Sequence, residues 1–362
     1  MQPFIKGMTL CESFFHDCAE EILARYFPDL IYTAGLLGYG SDVLGYDNVV
    51  STDHMWGPRF YLFLRQEDMY QKEEILSVLS RCLPETYRGY STSFTLPDAN
   101  DHGVRRPTTT KDGVVMPLIW VQTWQSFLKE QIGTEDPAGM DEADWLAVSE
   151  HRLLSLTAGK LFCDGLGVER DIRALSQYPF AVRCYLIASS WDMIASEQAF
   201  TKRCGDCGDE LGARMIAART VERLMRLCFL YANTYAPYPK WFGTAFSRLA
   251  VGEQIKQTLT DVLRAHDAHD REEQMIRAQL LLCELHNESG IGTPVCVRAS
   301  TYYGRDIRVI HAERLARAAL DAIDGHPLSR LPLIGSLSQI GGLSAVSDEP
   351  ALYARIAQLY RS

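Results

Sequence analysis

The feature that most constrains the fold is the run Leu36-Leu37-Gly38-Tyr39-Gly40-Ser41 together with the segment C-terminal to it. An apolar stretch of strand character ends in a Gly-Tyr-Gly-Ser turn, and a second strand-like run comes at Phe60-Tyr61-Leu62-Phe63-Leu64. Between them lies Asp53-His54-Met55-Trp56. Glycines at such a turn let backbone N–H groups and a serine hydroxyl come close to an anion such as a triphosphate. A carboxylate at the edge of the neighbouring strand suits the hard cation that accompanies a triphosphate. Two other phosphate-binding patterns fail on residue identity: a dinucleotide fingerprint needs glycine where Val43 stands, and no Gly-Lys-Ser/Thr occurs.

Composition narrows the classes. The chain has 362 residues, 47% of them hydrophobic and 23% charged, as expected for a globular protein large enough for two domains. A net charge of −10 argues against broad affinity for nucleic-acid backbones or anionic membranes, so long nucleic acid is not an expected partner. No apolar run reaches the roughly 18 residues of a membrane span, and Met1-Gln2-Pro3-Phe4-Ile5-Lys6 lacks the apolar core of a signal peptide. A cytoplasmic location and reduced thiols are the expectation for the ten scattered cysteines. Cys204 and Cys207 have ligand spacing, but no second pair stands at a recognisable offset for zinc.

Thr9-Leu10-Cys11-Glu12 predicts a capping box opening a helix, with Leu10, Phe14, Cys18, Ile22 and Tyr26 on one face until Pro28. Glu67 to Leu83 predicts another amphipathic helix, and Pro117 to Trp124 a strand. Residues 97–113 form a long polar stretch that reads as a mobile, functional loop. After Asp144 the periodicity is mainly helical, notably over 181–200, 210–235 and 252–288. The expected fold class is α+β: an N-terminal mixed sheet with helices over 1–138, a helical bundle over 139–290, and a short mixed extension over 291–362 packed on the bundle.

The Gly-Ser turn followed by Asp53 resembles the Gly-Ser…Asp-x-Asp signature of the polymerase-β-type nucleotidyltransferases. The wider segments resemble a little-characterised bacterial family, a domain of unknown function assigned to that superfamily. They are 40–47 and 51–59, Asp144-Trp145-Leu146, Phe162-Cys163-Asp164, Gly208–Gly212, Ala236–Gly243 and Leu285-His286-Asn287. The resemblance implies a nucleotidyltransferase-like sheet domain that binds a nucleoside triphosphate, ATP foremost, with Mg²⁺ or Mn²⁺. Gly40 and Ser41 would cradle phosphates and Asp53 would coordinate the metal. The chain departs from the superfamily at two acids. Met55 stands where the second carboxylate is usual, and the strand ending in Gln122-Thr123-Trp124 carries none. A thioether is a poor ligand for a hard cation.

Asp42, Asp47 and His54 are the nearby groups that could complete a metal shell, each with an ordinary role as loop acid or hydrogen-bonded imidazole. Arg59 and Lys240, the latter in Tyr238-Pro239-Lys240-Trp241, are candidate phosphate contacts, or a structural partner and a side chain lying along an aromatic. Glu210 is the candidate general base on an acceptor hydroxyl, if the helical region folds over the turn; otherwise Asp209 and Glu210 simply favour a helix N-terminus. His266-Asp267-Ala268-His269-Asp270 reads as a solvated helix end rather than a metal cluster. The function expected is transfer of a nucleoside monophosphate to a hydroxyl of a small molecule or protein. The alternative is a nucleotide-binding protein that has lost catalysis and serves regulation or assembly.

Overall fold

The first helix begins earlier than its local sequence predicts. In the computed structural model, which describes residues 4–52, 55–110, 112–341 and 344–361, α1 spans Gly7–Phe14, so Thr9 lies within the first turn and is not its cap. The reason is long-range: the Gly7 N–H donates to Asp47 Oδ2 at 2.7 Å, satisfying a helix-end donor that the local box would have served. One π-helical turn, Phe15–Ala19, then joins α1 to α2 (Glu20–Tyr26). That wider turn inserts a residue into the helical register. The buried stripe therefore moves from Leu10 and Phe14 to Phe15, Ala19 and Leu23, and Tyr26 is 48% exposed.

Two units divide the chain, Met1–Gly139 with Arg152–Ser176, and Met140–His151 with Gln177–Ser362. The first is built on a four-stranded mixed sheet. Strands β1 (Tyr32–Leu36), β2 (Arg59–Leu64), β3 (Leu118–Thr123) and β4 (Lys160–Asp164) lie in the order β3-β2-β1-β4. β1 is antiparallel to β2 and to β4, whereas β2 runs parallel to β3 from Arg59↔Leu118 to Leu64↔Thr123. Every residue of β2 is buried, which is why its sequence from Phe60 on is a continuous apolar run and not an alternating one.

One face of the sheet presents Phe60, Leu62, Ile119 and Val121 to Phe14, Phe15 and helix α3 (Lys72–Cys82). α3 follows a 3-10 turn at Gln66–Gln71, so the helical stretch predicted over 67–83 is two elements. The other face is aromatic. Tyr61 stacks on Trp120 at 5.0 Å, and Phe63, Trp124 and Phe127 close the layer, the last two from α4 (Trp124–Ile132). Thr123 caps α4 by accepting the Ser126 N–H. The polar 97–113 stretch is folded back on itself, with Pro107–Thr108 paired to Ser93–Phe94. Arg105 fastens it by donating to the carbonyls of Thr95, Met116 and Pro117.

Next in the chain come α5 (Glu142–Ala147), α6 (Glu150–Thr157) and α7 (Glu169–Leu175), with β4 between the last two. The sequence places residues 160–164 within a helical bundle. Instead β4 joins the sheet, so the chain returns to the first unit over 152–176 and no single boundary at 138 separates sheet from helices. Asp164 ends the strand and fixes the return. It accepts the Thr33 hydroxyl and the N–H groups of Gly167, Val168 and Glu169, which start α7.

The second unit is helical, with α8 (Phe180–Glu197), α9 (Phe200–Asp206), α10 (Glu210–Tyr231), α11 (Pro239–Phe246), α12 (Ala250–Arg264), α13 (Ala268–Glu288) and α14 (Glu313–Asp321). α10 packs against α8, α9, α12 and α13, and α14 packs on α8. Asp267 caps α13 through the Asp270 N–H, so the His266–Asp270 stretch is a helix start. Among the described residues no helix is long and apolar enough to cross a membrane.

Candidate functional site

The turn after β1 depends on two glycines with positive φ, Gly38 at +87° and Gly40 at +120°. Gly38 donates its N–H to the Ser155 carbonyl at 3.0 Å, which holds the turn at its base. At Gly40 no side chain fits. A Cβ there would stand 2.1 Å from Asp42 Oδ1 and 2.6 Å from Arg59 Nη2.

Those two atoms belong to a buried ion pair directly beneath the turn. Arg59 is 0% and Asp42 2% exposed, and Nη2 reaches Oδ1 at 2.8 Å, Oδ2 at 3.0 Å and the Tyr39 carbonyl at 3.1 Å. The guanidinium also lies over the Tyr39 ring, 4.6 Å from its centroid. Burial disfavours the Arg59 cation, but Asp42 and the neighbouring phenols outweigh it and raise the pKa. Burial likewise pushes the Tyr39 phenol up to about 12. Asp42 and Arg59 are thus bound to each other in this conformation. Both Asp42 oxygens are taken by Nη2, whereas Arg59 Nε and Nη1 have no hydrogen-bond partner among the described residues.

Asp47 is held through its Oδ2, while its Oδ1 accepts no hydrogen bond among the described residues. Besides capping α1 it accepts the Trp56 indole N–H at 3.3 Å and pairs with Lys6 at 3.3 Å. The backbone facing the other way is not committed. Gly40 and Ser41 are partly exposed, and among the described residues neither N–H finds an acceptor, nor does the Ser41 hydroxyl. Their carbonyls accept from Leu44, Tyr46 and Asp47, which fixes the turn while leaving the donors open. Successive unpaired N–H groups are what an anion-binding nest requires.

Asp53 and His54 lie outside the described residues. Met55 is half-buried with φ +48°, a left-handed conformation that a methionine seldom adopts, and its N–H donates to the Arg105 carbonyl. Gln122 is half-buried on β3 opposite Phe63. Among the described residues no group of three or more His, Cys, Asp or Glu side chains is placed to hold a metal ion. With Asp42 and Asp47 occupied, the described donors do not fit a divalent cation at the turn, and Cys204 and Cys207 form no such group on α9 and its end.

In the second unit, Glu210 opens α10 next to its cap Asp209. Its Oε1 accepts from Arg271 Nη2 at 2.5 Å and from Arg214 Nε at 2.7 Å. The Arg271 hydrogen bond, with Arg214 behind it, holds the carboxyl below its ordinary range against a small opposing effect of burial. Lys240 is exposed on α11, its ammonium 5.4 Å from the Trp241 ring centroid, an ordinary surface packing of the side-chain stem.

Sequence reasoning missed one polar centre of this unit. Glu150, 7% exposed, faces Arg226 at 3.4 Å, and burial raises its pKa against the pull of that arginine. Tyr178 and Tyr235 meet edge-on at 4.9 Å beside it. Ser-Glu-His in sequence carries no sign of burial, and the arginine that neutralises Glu150 comes from α10.

Residues 145–242 match the family model of a domain of unknown function (DUF4037), which is well under half of the chain. The matched stretch contains β4, Glu150, Glu210 and Lys240, and stops far short of the Gly38–Ser41 turn and Arg59. No curated protein matches the chain.

Proposed function

We propose that this chain is a nucleotidyltransferase-like protein that holds a nucleoside triphosphate, ATP foremost, with its phosphates against Gly40 and Ser41. The observation that carries the reading is the open pair of backbone N–H groups on a turn locked from below by Asp42 and Arg59. A mixed sheet with antiparallel β1 and β2, and β3 parallel to β2, is the support expected for such a turn. Fixed donors aimed at an anion need no reorganisation when it binds. In the full reaction an acceptor hydroxyl oxygen attacks the α-phosphorus, the bond to the β-bridging oxygen breaks, and pyrophosphate leaves. The hydroxyl proton passes to a carboxylate, for which Glu210 is the candidate. Mg²⁺ or Mn²⁺ would neutralise the phosphates, with Asp53 the remaining aspartate for it.

A second reading, binding without transfer, is favoured by a specific observation: Asp42 and Asp47 are occupied, and Met55 and Gln122 supply no carboxylate. One experiment separates the two. Titrating ATP with Mn²⁺ into wild type and Asp53→Asn, while assaying pyrophosphate, should give binding in the wild type that the variant weakens. Pyrophosphate release identifies the transferase, and binding alone identifies the second reading. Absence of ATP binding with either cation would overturn both.

A further inference from the structure

A cavity of about 500 Å³ lies within the second unit, between the start of α5, the 325–331 segment and residues 360–361. That size is within the range of about 300–1,000 Å³ typical of small-molecule sites. Four charged residues line it, and they divide into two kinds. Arg361 is shared by two carboxylates, Asp141 with Nη2–Oδ1 at 2.9 Å and Nε–Oδ2 at 3.1 Å, and Asp144 with Nη2–Oδ1 at 2.5 Å. Glu142 and Arg330 are different. The partner of Glu142 is His326 at 3.4 Å, an imidazole that is charged only when protonated. Arg330 is exposed, and among the described residues it has no ion pair.

Beside that arginine with its two acids, the cavity keeps Glu142 and Arg330 without a permanent counter-charge. Its remaining wall is apolar, with Ala143 6% and Leu328 2% exposed beside Leu331. Tyr360 also lines it. That side chain is 5% exposed, and its hydroxyl is buried with no hydrogen-bond partner.

From this combination we infer that the cavity is a binding site for a free α-amino acid with an aliphatic side chain. The ammonium would face Glu142, the carboxylate would take the two-pronged guanidinium of Arg330, and the side chain would cover the apolar wall. A ligand with a single charge would leave one of the two groups without a partner. The site stands on the second unit alone and does not depend on nucleotide binding at the turn.

The test is calorimetric titration of the full chain near neutral pH with L-leucine, 4-methylpentanoate and 3-methylbutylamine, the last two lacking the ammonium and the carboxylate respectively. Leucine should bind, and each single-charge analogue should bind about tenfold or more weakly. Arg330→Ala and Glu142→Gln should each cause a similar loss for leucine, and Arg330→Lys should restore part of it. Melting temperatures of the Arg330→Ala and Glu142→Gln variants should match wild type. No binding of leucine, equal binding of the three compounds, or binding that Arg330→Ala and Glu142→Gln leave unchanged would each overturn the inference.

Discussion

The Gly38–Ser41 turn and the start of α10 hold their acids in opposite ways. Under the turn, Asp42 and Asp47 are almost completely buried, and each is bound to a defined set of donors. At the head of α10, Glu210 lies at the surface and is shared between two arginines. A buried charge without its partner is strongly disfavoured, whereas an exposed pair such as Glu210–Arg214 gains little because water competes for both members. Arg271, 1% exposed, is the one buried member at the head of α10. Acidic side chains are therefore buried supports in one region and a surface ion-pair partner in the other. Substitutions at these acids probe that contrast, in order of decreasing effect on stability.

The largest effect is expected at Asp42. Asp42→Asn leaves the buried Arg59 cation without a counter-charge and should cost about 3–5 kcal/mol, read as a shift of the urea midpoint. Replacing both partners, as Asp42→Leu with Arg59→Met, removes the stranded charge and should recover much of the loss. A single variant as stable as wild type would show that the pair is not closed in solution, and Asp42 would again be a free donor at the turn.

Asp47→Ala should come next. It strands the Gly7 N–H at the head of α1 and the buried Trp56 indole N–H, a loss of about 1–3 kcal/mol in the same measurement. If its cost proved negligible, α1 would be free to start at the Thr9 box, and the contrast between buried and exposed acids would weaken.

Asp164 is exposed like Glu210, yet it collects three backbone N–H groups at the start of α7. Partial burial opposes its ionisation, but these donors outweigh it and lower the carboxyl pKa below the ordinary 3.8. A depressed folded-state pKa gives stability that is complete above the unfolded value and lost as pH falls through the folded one. Asp164→Asn should therefore cost about 1 kcal/mol at neutral pH, as for a lost helix cap. Thermal melts should show the gap from wild type closing below about pH 3.8. A gap that is constant down to pH 3 would show that ionised Asp164 contributes nothing beyond its shape.

These residues also show what could be seen in the sequence. β2 was visible because a strand buried on both faces is apolar throughout, and the turn because only glycine tolerates the φ of Gly38 and Gly40. β4 was hidden: Lys160 and Asp164 flank a three-residue apolar core surrounded by helical sequence, and its pairing partner β1 lies far upstream. The π-turn at Phe15–Ala19 has no local signature, so a helix face read at constant spacing went astray after Phe14. Gly40 and Ser41 were recognisable as a glycine-dependent turn, whereas the burial of Asp42 and Arg59 follows from a contact across 17 residues. Local pattern reports which chain conformations are allowed. Which charges end up buried depends on pairing, and single positions do not encode it.

The smallest effect on stability is expected at Glu210, where the consequence for chemistry would be greatest. Glu210→Gln keeps an oxygen for Arg271 and Arg214 but removes the counter-charge of the buried Arg271, so a small fall in melting temperature is expected. ATP binding should be unchanged as well, because α10 is not part of the turn. If the wild type releases pyrophosphate and Glu210 is the base, release should fall by about 10²–10⁴-fold. The pH profile gives an independent check. A general base acts when deprotonated, and the Arg271 and Arg214 hydrogen bonds hold Glu210 below the ordinary 4.5. The acidic limb of the rate should therefore lie below pH 4.5 and move up when Arg214→Ala removes one of those donors. A limb at or above 4.5 in the wild type, or release undiminished in Glu210→Gln, would assign the proton to another group and leave Glu210 as a surface ion-pair partner of α13.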